Sequence, residues 1–260
     1  MRDKLKNKGH FDRWIIEFYQ SVERVGHWIL IGKTPKDRIN IMKQSMVQTY
    51  INIILCKFSS DTPIANLKDD LVSAIDLTYE SWDGFWKIKA GNNSTGSIVL
   101  DQYGLDAYDQ MLWMLSLGYL LDASETDFKK LVAVIDRDGV KDYLFEFIIR
   151  AKLNNRQLII EESYQEFFGV PQTFDKLRQA IIETDKTKAE KLVKEFITKD
   201  WYKNHKEAGW YNSHKSKHDT YFGYWSFETA AVVKIMGLDN TRFRECPYYP
   251  KDLIAINDVV

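Results

Sequence analysis

The chain has 260 residues, 45% hydrophobic and 14% aromatic, and sets 36 Lys and Arg against 37 Asp and Glu for a net charge of −1. That is enough apolar material for a large core, while 13 Gly and 5 Pro leave little for disordered linkers. A near-zero charge is poor for wrapping phosphates, two distant cysteines (Cys56 and Cys246) argue against a disulfide framework, and no apolar run reaches the roughly 18 residues that cross a bilayer.

The charged opening, MRDKLKNKGHFDRW, lacks the apolar core of a secretory leader, so a cytoplasmic protein is expected. Phe11, Trp14, Ile15, Phe18, Val22, Val25 and Trp28 recur at three- and four-residue steps and predict a helix over 11–31. Thr34 and Pro35 read as N-cap and first helical position of a second helix, continuing over 37–57 with Ile39, Met42, Met46, Tyr50, Ile53 and Ile54 on one face. A third is expected over 64–88, with Leu67, Leu71, Ile75, Tyr79, Trp82 and Trp86 inward. Its other side carries Asp69, Asp76, Glu80 and Asp83, whose spacing makes one stripe of carboxylates.

The run GNNSTG (91–96) reads as a loop, and a fourth helix over 101–121 is expected to show Asp106 and Asp109 on its polar side. The polar break at 122–127 is the candidate boundary between regions 1–125 and 126–260. Beyond it, helices are expected over 128–135, 141–153, 174–183, 187–205 and 225–236, with Gly237 as the last C-cap. A four-residue strand at 157–160, a connector at 167–173 and an irregular tail complete the chain. No strand alternation persists, so the expected fold is all-α: an array of antiparallel helical hairpins in two adjoining regions.

Charge is unevenly placed. Residues 1–60 hold 11 cations and 5 acids, residues 61–127 hold 3 and 12, and residues 128–260 hold 22 and 20. The acidic block makes Asp69, Asp76, Glu80, Asp83, Asp106 and Asp109 candidates for docking a basic partner, the alternative being a solvated face.

Catalytic chemistry is hard to place. His214 and His218 stand four apart with Asp219 adjacent, the spacing of a helical metal-binding pair, but Lys215 and Lys217 oppose a cation there and no third ligand stands at a recognisable spacing. There is no G-x-S-x-G elbow and no phosphate-binding loop. Lys4, Lys6, Lys8, Arg13, Lys33, Lys36 and Arg38 are interspersed with acids and lack an aromatic stacking platform, so no direct nucleic-acid binding is expected.

The densest stretch is WYNSHKSKHDTYFGYWSFE (210–228). Together with Ala230-Ala231-Val232-Val233-Lys234 and Pro247-Tyr248-Tyr249-Pro250, it resembles the C-terminal signature of the PoNi family, immunity proteins of polymorphic nuclease effectors. Weaker likeness extends to the first helix, the Tyr108–Ser116 segment and the Trp201-Tyr202 pair. The resemblance implies a largely helical protein with N- and C-terminal PoNi regions. It further implies binding and neutralising a cognate DNase toxin delivered between bacteria, which protects producer and kin, with no catalysis and no cofactor. Under it, His214, Lys215, His218, Asp219, Tyr221, Tyr224, Trp225 and Glu228 are signature residues, expected to be mainly structural. Two alternatives stay open: a metal-dependent enzyme using His214, His218 and Asp219, and a helical scaffold for another partner.

Overall fold

A computed structural model describes residues 1–82, 84, 86–90, 98–159, 161–164 and 169–254. Among these the chain is predominantly helical, as the all-α expectation has it, with one two-stranded hairpin. It divides into two compact units: Met1–Asp83 with Thr126–Val134 and Asn212–Tyr224, and Gly84–Glu125 with Ile135–Tyr211 and Trp225–Val260.

In the first unit, α1 (Lys8–Leu30) starts where the Asn7 side chain accepts the His10 N–H at 2.9 Å, satisfying one of the free donors of the first turn. Helices α2 (Ile39–Ser59) and α3 (Lys68–Ser81) follow, and α2 packs against both α1 and α3. Its second half is therefore buried nearly all round, from Ile51 through Ser59. Its first half buries Gln44 and Val47, with the expected Met42 and Met46 only half-buried. Buried Asp70 ties the three helices together: Tyr19 of α1 donates to it at 2.5 Å and Lys57 of α2 at 2.6 Å.

Helix α3 is shorter than the periodicity suggested. A 3₁₀ turn at Ile64–Leu67 precedes it, and Trp82 leaves helical geometry at ψ 84°. Gly84 then adopts φ 76°, a conformation open to glycine and costly for other residues, so the helix cannot run on to 88.

In the second unit, β1 (Lys87–Ala90) pairs antiparallel with β2 (Ile98–Tyr103), Lys87 facing Tyr103 and Lys89 facing Val99. The expected GNNSTG loop lies outside the described residues. Helix α4 (Leu105–Leu120) is buried on almost every side, and α6 (Tyr143–Lys152) and α11 (Phe227–Met236) pack on it. Between these in the chain come α5 (Glu125–Asp138), whose residues Thr126–Val134 belong to the first unit, and α7 (Gly169–Thr173), α8 (Asp175–Ile182), α9 (Lys186–Glu195) and α10 (Trp201–Asn204). A wide turn at Phe196–Asp200 joins α9 to α10. Residues 157–159 are not strand, and α7 replaces part of the expected connector. Gly237 ends α11 at φ 59°, the left-handed C-cap anticipated for it.

A buried ionic knot holds the second unit. Asp142 caps α6 by accepting the Phe145 N–H at 2.8 Å, and also accepts from Tyr108 of α4 at 3.0 Å and from Arg178 of α8 at 2.5 Å. Burying a carboxylate is tolerable here because its oxygens are hydrogen-bonded and its charge is matched.

Candidate partner-binding surface

The stripe acids of α3 sit on its outer face. Asp69 is exposed and, among the described residues, forms no ion pair. Glu80 is held by Lys43 of α2 at 2.7 Å, and Asp76 by Lys130 of α5. Lys130 also takes Asp127 at 2.9 Å; the two carboxylates push its pKa up to about 12. These are exposed pairs in which water competes, so the acids remain usable by a partner at little cost. Asp83 lies outside the described residues.

The two α4 acids differ. Asp106 is exposed and accepts the Gly209 N–H at 2.8 Å. Asp109 is not on a polar side: it is 1% exposed, bonded to His205 Nε2 and to the Trp210 indole N–H, each at 3.2 Å. Because α4 is covered all round, a three-residue step from Asp106 turns the side chain into the interior. Burial works against a charged His205, but Asp109 and the Trp201 carbonyl outweigh it and raise the imidazole pKa. Packed among Phe174, Trp201 and Trp210, this His–Asp pair is enclosed; His205, which no sequence motif marks, packs the interior.

The signature residues are spread along an irregular path rather than one helix face. His214 Nδ1 lies 2.9 Å from the Tyr224 hydroxyl, and its pKa is lowered by burial and by nearby Lys215 and Lys6. Lys215 and His218 are exposed. Asp219, at φ 56°, accepts from Lys6 at 2.9 Å and from Arg13, with His10 Nδ1 3.3 Å away. Lys6 and Arg13 hold its pKa down at about 2. His214 turns to Tyr224, Asp219 is taken by cations, and among the described residues no three candidate metal ligands gather. Tyr221, Tyr224 and Trp225 are buried, Tyr221 donating to Asp3. Glu228 is fully buried and accepts the Trp201 indole N–H and the Ser226 hydroxyl, both at 2.6 Å; burial raises its pKa to about 7.

A profile described as PoNe immunity protein (PoNi), N-terminal, matches residues 2–133, and one described as PoNe immunity proteins (PoNi), C-terminal, matches residues 140–253. The chain belongs to the PoNi family. PoNi proteins are non-enzymatic immunity proteins, so the chain is not an enzyme. No curated protein matches it. Among solved structures, protein PA2201 from Pseudomonas aeruginosa is similar over 97% of this chain and 88% of its own, with a TM-score of 0.67 at 15% identity, a likeness of fold alone. No helix among the described residues is long and apolar enough to cross a membrane.

Proposed function

We propose that this PoNi chain binds a cognate DNase toxin directly and neutralises it, docking through the acidic outer face of α3. The family match carries the immunity role. The stripe Asp69, Asp76 and Glu80 supports the place, because a nuclease surface that holds DNA is basic and these carboxylates offer it the charge of phosphate. Asp83, and exposed Asp106 of the second unit, stay candidate docking acids in their own right rather than as part of this face; Asp109, buried under Trp210, is withdrawn. Opposite charge steers the encounter and so speeds capture before the toxin reaches DNA.

The test is to purify the chain with a candidate nuclease toxin, sought first among the genes beside its own. A stable complex on gel filtration supports direct binding; separate elution at micromolar concentrations rejects it.

A further inference from the structure

We propose that the second unit carries a docking groove for an acidic, carboxylate-bearing segment of the partner protein, formed by α9, the wide turn after it and Arg242. It rests on the reading that the chain acts by binding a protein toxin.

The groove is a cleft of about 420 Å³. Lys188, Lys191, Lys194, Lys199 and Arg242 line it, all exposed. The α9 lysines recur at three-residue steps, which keeps them near one side of the helix. Two acids share the lining, and both are engaged. Glu190 accepts the Asp239 N–H at 3.0 Å. Glu195 accepts from Lys176 of α8 at 3.1 Å, and Lys176 also pairs with Asp200 at 2.9 Å. None of the five lining cations forms an ion pair among the described residues, whereas Lys43, Lys57, Lys130 and Lys176 all do. Five cations against two acids leave the groove with a surplus of positive charge, which an anion supplied from outside would offset.

The backbone also departs from regularity here. At the end of α9 the chain widens, and the Trp201 N–H bonds to the Phe196 carbonyl five residues back. Such wide turns recur at functional sites. This one carries Thr198 and Lys199 at the end of the groove.

The lining favours carboxylates over nucleic acid. It contains no aromatic side chain, and single strands need rings to stack on. A net charge of −1 and the acidic face of α3 further disfavour a long polyanion. A volume of about 420 Å³ suits a few acidic side chains of one peptide segment.

The test uses the full chain, a fluorescein-labelled octaglutamate peptide and an equally labelled eight-nucleotide oligo-dT, read by anisotropy at about 50 mM salt. A triple variant, Lys191→Glu/Lys194→Glu/Arg242→Glu, is compared with an equal charge change elsewhere, Lys33→Glu/Lys203→Glu/Lys217→Glu. The proposal expects octaglutamate to bind, the groove variant to lose about tenfold, and the control to stay within about twofold. Oligo-dT binding as tightly as the peptide, equal losses in the two variants, or concentration-dependent dimerisation that the groove variant abolishes would each overturn it. A second arm uses the candidate nuclease toxin: the groove variant should weaken the complex about tenfold at low salt. If the wild type binds the peptide through the groove yet binds no nuclease, the toxin-binding reading fails. If it binds nuclease equally with and without the groove cations, the groove proposal fails and the reading stands.

Discussion

The Asp219 carboxylate receives the Lys6 ammonium at 2.9 Å, bonding two residues 213 positions apart in the chain. Arg13 donates to the same carboxylate, the Trp14 indole N–H donates to the Asp219 carbonyl at 3.0 Å, and His10 Nε2 meets the Tyr221 carbonyl at 2.7 Å. The signature segment thus works as a clasp on the N-terminus and α1. With the Asp219 pKa held near 2, below the ordinary carboxylate value, its contribution is present at neutral pH and is lost as pH falls from about 4 towards 2. The side chain is more than a third exposed, so screening limits the contribution to about 1 kcal/mol.

Asp219→Ala is therefore expected to destabilise the fold at pH 7 by about 1–2 kcal/mol, since it also puts alanine in a left-handed backbone position. Asp219→Gly loses the same ion pairs without that strain and should recover about 0.5–1 kcal/mol. Urea denaturation of the pair measures the difference, and equal stabilities would remove strain from the account.

Glu228 has the opposite sign. Its pKa rises to about 7 on burial, so the folded state holds a proton that the unfolded state releases near pH 4.5, and stability falls as pH climbs through that window. Its second oxygen has no hydrogen-bond partner among the described residues. Glu228→Gln keeps an acceptor for Trp201 and cannot ionise. Relative to wild type it should gain on the order of 2 kcal/mol between pH 5 and pH 8, read as melting curves across that range. Parallel pH profiles would show that Glu228 does not titrate there.

Arg178 supplies the cation for buried Asp142, which is wholly enclosed. Arg178→Met leaves that carboxylate uncompensated and should cost about 3–5 kcal/mol. The double change Arg178→Met/Asp142→Asn should recover a large part of it, because the penalty arises from the unpaired charge. A double variant less stable than the single by the full effect of a second lesion would refute this.

Much of this was legible in the sequence. Helices α1 and α11 follow from the spacing of Phe11, Val22 and Phe227 to Val233 and from the Gly237 cap, because one-sided or complete burial leaves a periodic trace. The hairpin left none: its strands have four and six residues, and β2 exposes both Ile98 and Val99, so no alternation marks them. The burial of Asp109 escapes the sequence for a similar reason. Its three-residue step from Asp106 looks like a polar face, and only the helices packed around α4 reveal that it points inward. The PoNi signature was readable as identity while its physical work, gripping Lys6, Arg13 and His10 from more than 200 residues away, depended on contacts that no local pattern encodes.

The acidic face makes a kinetic prediction. Asp69→Asn/Asp76→Asn/Glu80→Gln removes three charges without reversing any, and losing the exposed pairs with Lys43 and Lys130 costs at most about 1 kcal/mol each. Association with the nuclease should slow about tenfold at low salt and converge with wild type at high salt, with dissociation little changed. A salt-independent loss would place the effect in folding rather than steering.

The most direct measurement is a titration of the candidate nuclease toxin with this chain, scored by cleavage of plasmid DNA. Cleavage should fall to background near one equivalent, and the triple acid variant should need more protein at low salt. Undiminished cleavage in the presence of a large excess of wild-type chain would contradict it.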